Sequence, residues 1–474
     1  MPHSKASTRR EKDSLGEVAV PAQAYYGAQT SRAVENYPIS GLRAHPVLIK
    51  AYGLLKLACA EANLELRMIP PRIGRAIVRA ANDVAAGRLN DQFVVDVYQA
   101  GAGVSFHMNV NEVIANRAIE YLGGKLGDYS VVHPNDHVNF GQSTNDTFPT
   151  AMRLASLLLL REFYPALAEL EGAFRSKARE FDAVIKSGRT HLQDAVPIRL
   201  GQEFAGYAES LRQAREGIEQ GASTLAALGI GGSAVGTGLN AHPQFSRRVV
   251  ARLRQHTSLP LTVARDLVAA MQSQWPLAAV SGSLRNLALE LIRIANDLRL
   301  LSSGPYTGLA EIALPALQPG SSIMPGKVNP VMGELLDMVA FQVVGCDTVV
   351  ALAVQAGQLD LNVMMPAMIW NVLHAIEILK NTCRVVAEKC VAGITVNRET
   401  CERYAYRTPS IATALNPVIG YARAAQIVKK ALETGKSIPE ICLEEKVLTK
   451  KELDRVLDPH RMTRPGLPPK RRRG

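Results

Sequence analysis

Aromatic residues make up 5% of this 474-residue chain, too few for a sandwich of short strands and better suited to packed helices rich in aliphatic side chains. The six cysteines, Cys59, Cys346, Cys383, Cys390, Cys401 and Cys442, form no C-x-x-C pair and have no histidine at ligand spacing beside them. That excludes a disulfide framework and a zinc site, and reads as the reduced thiols of a cytoplasmic protein. No apolar run follows the opening residues MPHSKASTRREKD, so no signal peptide is expected. The apolar stretch Ala155–Leu160, interrupted by Ser156, is far too short to span a bilayer, and no membrane partner is expected. Also absent are a metal-ligand constellation, a nucleotide-binding glycine fingerprint after a strand and a serine nucleophile elbow.

The net charge of +11 hints at nucleic acid, but it is concentrated at the ends. Residues 1–12 carry +3 and residues 464–474 carry +5, which leaves +3 for the body. The run PPKRRRG reads as a solvated basic tail, residues 1–12 as a disordered tail, and nucleic acid is an unlikely partner, since such runs bind phosphate only through unspecific counterion release.

What is present is helical periodicity. Residues 13–145 are mixed, with helices expected over Pro46–Arg67 and Ile73–Gly87, and turns at Gly101–Gly103, Gly123–Gly124 and His133–Pro134. From residue 146 the helices lengthen. Leu160, Phe163, Leu167, Leu170 and Phe174 step by three and four, as do Leu284, Leu287, Leu291, Ile294 and Leu298. Ile369, Val372, Ile376, Leu379, Cys383, Val386 and Cys390 do the same. These are the seams of a bundle of nearly parallel helices, numerous enough to suggest packing across subunits. The expected organisation is an N-terminal domain over 13–145, a central long-helix bundle over 146–395 and a small C-terminal helical domain over 396–463.

Four polar clusters stand out. The stretch 101–117 sets a Gly-rich turn before a helix bearing Asn109, Asn111 and Asn116, amides suited either to inter-helix hydrogen bonds or to a site. Ser143, Thr144 and Asn145 precede the first long helix, where hydroxyls, an amide and free backbone N–H groups make either an N-cap or a neutral anion cradle. Arg189, Thr190, His191, Gln193 and Asp194 crowd before Pro197. The stretch 318–334, QPGSSIMPGKVNPVMGE, is broken by Pro319, Pro325 and Pro330 and loosened by Gly320 and Gly326, so it is either a helix connection or a lid carrying Ser321, Ser322, Lys327 and Asn329. Neutral donors with one lysine and one histidine suit a small dicarboxylate and the extra charge that develops when a proton is taken beside a carboxylate.

The segment GSSIMPGKVNP (320–330) resembles the signature loop of the aspartase/fumarase superfamily, and the likeness runs from Leu15-Gly16 and Tyr25-Tyr26-Gly27 to Met462–Gly466. Asn90–Asp96, Ser143–Asn145, Ala356–Val363 and the carboxyl end are more similar to aspartate ammonia-lyases, while His133–Asp136 leans towards class II fumarases. The resemblance implies a mainly α, three-domain fold whose central helices form the core of a homotetramer with active sites shared between subunits. It implies no metal or organic cofactor. It further implies that Ser143, Thr144 and the loop hold the β-carboxylate of aspartate, that Thr190, Lys327 and Asn329 hold the α-carboxylate, and that Asn145 and His191 lie near the amino group. Ser321 would be the base that removes the Cβ proton, Ser322 would help bind the carboxylate, and Glu334 would pair with His191.

The chain departs from the family at four places. Val104 stands where threonine is usual, His107 where asparagine is, Gly141 where serine is common, and Tyr306 where relatives carry arginine. The expected activity is elimination of ammonia from L-aspartate to give fumarate. The alternatives are fumarase-like hydration or another superfamily lyase, and, through Val104, a tetramer that has lost activity.

Overall fold

A computed structural model describes residues 7–467. Strands β1 (Thr8–Asp13) and β2 (Gly16–Pro21) open the chain as an antiparallel hairpin. This corrects the expected tail over 1–12, of which residues 1–6 lie outside the described residues. The hairpin is held by partners far along the chain. Arg9 donates to the carbonyls of Pro21, Ala22, Ala24 and Tyr26, while the buried Glu11 carboxylate accepts from Ala28 N at 3.0 Å and Tyr129 Oη at 2.9 Å. In the basic C-terminal segment, residues 468–474 likewise lie outside the described residues.

Helices follow: α1 (Ala28–Asn36), α2 (Pro46–Glu65), α3 (Pro71–Ala85) and α4 (Val104–Tyr121). Prolines start α2 and α3 at their first positions, where the missing N–H would have been unpaired anyway. Gly103 precedes α4 with φ +88°, and a Cβ there would lie 2.1 Å from the Phe148 ring, so glycine is required twice over. Then come α5 (Thr144–Glu180), the hairpin β3 (Ile185–Thr190) and β4 (Gln193–Arg199), α6 (Leu200–Ser223), α7 (Phe245–Thr257), α8 (Leu267–Gln272), α9 (Trp275–Leu301), α10 (Val331–Gln355) and α11 (Met365–Lys389). Every residue of the three seams is buried. Shorter helices end the chain at Arg398–Arg407, Tyr421–Thr434, Ile438–Glu444 and Lys450–Val456, the last two opened by capping boxes from Ser437 with Glu440 and Thr449 with Glu452. They enclose their own core around Leu415, Ile427, Ile441 and Leu453.

The chain divides into two compact units, one of Met1–Pro165, Ala214–Ala288 and Val339–Lys380, the other of Ala166–Gln213, Leu289–Met338 and Asn381–Gly474. The described strands form only two-stranded sheets, so the fold is mainly α.

Helix α10 differs from what short apolar runs suggest. By length and composition it could cross a membrane, with a hydropathy of 1.8. Leu336, Ala340, Val343, Cys346 and Val350 are buried, yet Met338, Phe341, Val349 and Leu352 are exposed. The helix therefore carries two apolar stripes, of which one is covered within the chain.

Candidate active site

The candidate cradle, Ser143–Asn145, lies at the start of α5, where the first-turn N–H groups and the helix dipole would favour an anion. Ser143 Oγ accepts from Asn145 N at 3.2 Å, and Ser143 N donates to Asp146 Oδ1 at 2.9 Å. Asp146 is fully buried, and its other oxygen accepts from Gly231 N and Ser233 N, each at 3.0 Å. Asn145 Nδ2 donates to Ala234 O at 2.7 Å. One carboxylate and one amide thus hold the Gly-rich stretch 229–238 against the helix start. Burial pushes Asp146 up to about 6, against the pull of its three N–H donors.

Beneath the cradle is a polar core. Thr144 Oγ1 is 2.7 Å from His107 Nδ1, and Lys56 Nζ is 2.8 Å from His107 Nε2. Lys56 also donates to Asn139 Oδ1 at 3.0 Å and Gln142 Oε1 at 2.8 Å. Lys56 and His107 are each 1% exposed. Burial lowers Lys56 to about 7 and carries His107 well below its ordinary range, with the neighbouring lysine as a second cause. Of the three helical amides, Asn109 and Asn116 serve structure: Asn109 joins Gln92 O and Val94 N, and Asn116 joins Tyr25 O and Gly127 N. Asn111 approaches His107 Nε2 at 3.3 Å.

Thr190 and His191 stand at the tip of the β3–β4 hairpin. His191 and Leu192 have φ of +56° and +59°, the left-handed pair of a two-residue hairpin turn. Both Thr190 and His191 are exposed. The base of the hairpin is anchored by charge: buried Glu311 pairs with Arg189 at 2.9 Å and Lys186 at 3.1 Å, and Lys186 also reaches Glu203 at 2.8 Å.

The loop before α10 is folded upon itself. Gly320 N donates to Lys327 O at 2.7 Å, and Asn329 Nδ2 to Gly320 O at 2.8 Å. Ser321 Oγ accepts from Ile323 N at 3.2 Å and Met324 N at 2.9 Å. Two N–H groups aimed at a hydroxyl oxygen favour its deprotonated form. Ser322 and Lys327 are exposed, and Glu334 lies in the first turn of α10. Among the described residues of this one chain, no hydrogen bond or ion pair joins His191 to Glu334 or either of them to Ser321.

Two parts of the site escape sequence reasoning. The stretch GIGGSAVGTG (229–238) was visible as a glycine run, but only Asp146, 85 residues away from Gly231, shows its purpose. Lys56 was visible as a single cation inside the apolar run Leu54–Cys59. Among the described residues no three His, Cys, Asp or Glu side chains group as metal ligands.

A mainly α chain with a hydroxyl-lined helix start and a self-bonded serine loop has the make-up of a lyase, and the lyase family model matches residues 16–345. The chain belongs to the aspartase/fumarase superfamily, and its residues 411–464 match the model of the fumarase C C-terminus. The aspartate ammonia-lyase of Bacillus subtilis (strain 168) is 49% identical over 459 residues, 97% of either chain. The class II fumarate hydratase of Thermus aquaticus is also 49% identical, over 460 residues, 96% of this chain and 98% of that one. The crystal structure of a fumarate lyase:delta crystallin from Brucella melitensis superposes with a TM-score of 0.94 at 48% identity, covering 97% of this chain and 100% of that one. The class II fumarase from Schistosoma mansoni superposes with a TM-score of 0.94 at 38% identity, covering 96% and 99%.

Proposed function

We propose that this chain catalyses the reversible elimination of ammonia from L-aspartate to give fumarate, with Ser321 as the base. The observation that carries the reading is the pair of backbone N–H groups on Ser321 Oγ within a loop that also presents Ser322, Lys327 and Asn329. Removing a Cβ proton beside a carboxylate creates an enediolate with two negative oxygens, and preorganised donors lower that barrier by about 3 kcal/mol each. Ser143, Thr144 and the loop hold the carboxylate that becomes the enediolate. Thr190, Lys327 and Asn329 hold the other carboxylate. Asn145 and His191 face the departing amine, and Glu334 pairs with His191 to orient it. The chain needs no resident cofactor for these steps.

A second reading, hydration of fumarate to malate, is favoured by the equal likeness to a class II fumarate hydratase. Fumarate incubated with ammonium, and separately in water alone, distinguishes the two. Aspartate is the expected product of the first mixture, seen as falling ultraviolet absorbance and confirmed by chromatography. Malate in both mixtures with no aspartate overturns the aspartase reading.

His191, Ser321 and Glu334 are not joined within one chain, and this supports a site completed by neighbouring subunits of a homotetramer. The exposed stripe of α10 suits that assembly. A membrane suits it less, because Asp337 and Asp347 on the same helix are bonded to Arg299 at 2.7 Å and to Ser281 at 2.7 Å. Phe341→Asp places a charge in the stripe. Sedimentation should show the mass falling from four chains to two or one, with loss of turnover. An unchanged tetramer would remove α10 from the interface.

A further inference from the structure

We propose that Lys56 and His107 form a buried positioning relay that fixes the Thr144 hydroxyl as a hydrogen-bond donor to a substrate carboxylate, so that His107 sets how tightly this chain grips dicarboxylates. The proposal rests on the reading above, in which Thr144 faces a carboxylate, and it adds two residues that do not touch the substrate.

The protons can be assigned from the partners. An ammonium group has three donors and no acceptor. Lys56 Nζ meets three acceptors, His107 Nε2 at 2.8 Å, Asn139 Oδ1 at 3.0 Å and Gln142 Oε1 at 2.8 Å. With Lys56 in its ammonium form each takes one proton, and His107 Nε2 is then the acceptor. A buried imidazole beside a cation stays neutral, and its one proton then lies on Nδ1. Nδ1–H donates to Thr144 Oγ1 at 2.7 Å.

The Thr144 hydroxyl therefore has a lone pair occupied and its own proton left over. Nearby hydroxyls use theirs on the helix: Thr147 Oγ1 donates to Ser143 O at 2.8 Å and Thr150 Oγ1 to Asp146 O at 2.7 Å. The equivalent carbonyl for Thr144, that of Phe140, already accepts from Asn63 Nδ2 at 3.0 Å and Gln142 Nε2 at 3.2 Å. The Thr144 proton is free for a ligand at the helix start. Stacking of His107 on Tyr52, with ring centroids 5.8 Å apart, keeps the imidazole in the plane that reaches both Lys56 and Thr144. An asparagine at 107 has a shorter reach, which makes His107 a specificity feature of this chain.

The test is a double-mutant cycle on succinate, an unreactive dicarboxylate, with binding to the whole protein measured by calorimetry. Thr144→Val and His107→Phe should each weaken succinate roughly 5- to 10-fold, the worth of one neutral hydrogen bond. The double variant should be no weaker than Thr144→Val alone, because both changes break one chain. His107→Gln, which can accept from Lys56 and donate to Thr144, should bind within about 3-fold of the parent. In turnover, His107→Phe should raise KM more than it lowers kcat. If His107→Phe does not fold, His107→Gln and His107→Leu carry the comparison, with the Leu variant weak and the Gln variant tight. Losses that simply multiply in the double variant, or parental affinity in His107→Phe, overturn the relay. Parental affinity in Thr144→Val overturns the carboxylate reading of the cradle instead.

Discussion

Replacing Ser321 by alanine should lower turnover roughly 100- to 10,000-fold, the range typical of a lost general base, while succinate affinity and subunit assembly stay close to parental. The loop explains the selectivity of this effect. Its shape is set by bonds that do not involve the Ser321 side chain as donor: Gly320 N to Lys327 O and Asn329 Nδ2 to Gly320 O. Removing Oγ frees only the N–H groups of Ile323 and Met324, both on exposed residues where water can replace it. Ser322, Lys327 and Asn329, the residues proposed to bind the carboxylates, keep their backbone positions. An interaction needed only while the proton moves is therefore lost with ground-state binding intact, which appears as a fall in kcat with little change in KM. Ser322→Ala is the control. It removes a hydroxyl assigned to binding and should act mainly on KM. The measurement is the initial rate of fumarate appearance from L-aspartate. Near-parental kcat in Ser321→Ala would show that another group is the base.

Much of the fold was legible because local rules and tertiary contacts agree. The seam Leu284, Leu287, Leu291, Ile294 and Leu298 is buried as its three-and-four spacing requires. The helices expected over Pro46–Arg67 and Ile73–Gly87 form as Pro46–Glu65 and Pro71–Ala85, since proline marks their starts and the apolar pattern their length. What was not legible depends on distant partners. Residues 8–12 look like a charged tail, but Arg9 and Glu11 find carbonyls, an amide and the Tyr129 hydroxyl up to 118 residues away. Helix α10 lies outside the three seams read from spacing, and the exposure of Met338, Phe341 and Leu352 shows that part of its apolar surface is uncovered within the chain. In the candidate site, hydroxyls and glycines mark the helix start at Ser143–Asn145 and the loop at 318–334. Lys56 stands out only as a lone cation in the apolar run Leu54–Cys59, and its role shows once His107, Asn139 and Gln142 are brought to it. Val104 is 41% exposed at the start of α4 and offers no hydroxyl there.

Glu311→Ala should destabilise the folded chain by about 3–5 kcal/mol, the usual cost of removing one partner from a buried ion pair. Glu311 is wholly buried, and its carboxylate faces two cations, Arg189 at 2.9 Å and Lys186 at 3.1 Å, the latter with a side chain 2% exposed. Alanine leaves both charges in a site where little water can reach them. Glu203, 2.8 Å from Lys186, compensates that lysine in part. Arg189 has no second carboxylate in the described ion pairs, so the larger part of the loss falls on β3. The neighbouring residue is Thr190, followed by His191 at the turn, and the anchor of the hairpin is thus also the anchor of two proposed site residues. Glu311→Gln tests that link more gently. It keeps the shape and one hydrogen-bond acceptor but leaves a net extra positive charge, and should lower stability less than alanine does while raising KM, since Thr190 is assigned to a carboxylate. Urea midpoints at one fixed protein concentration give the stability change free of any shift in assembly. A midpoint for Glu311→Ala within about 1 kcal/mol of the parent would mean that water reaches the two cations and the pairing behaves as a surface one. A large loss of stability in Glu311→Ala with an unchanged KM in Glu311→Gln would instead separate the hairpin's anchor from the function of its tip.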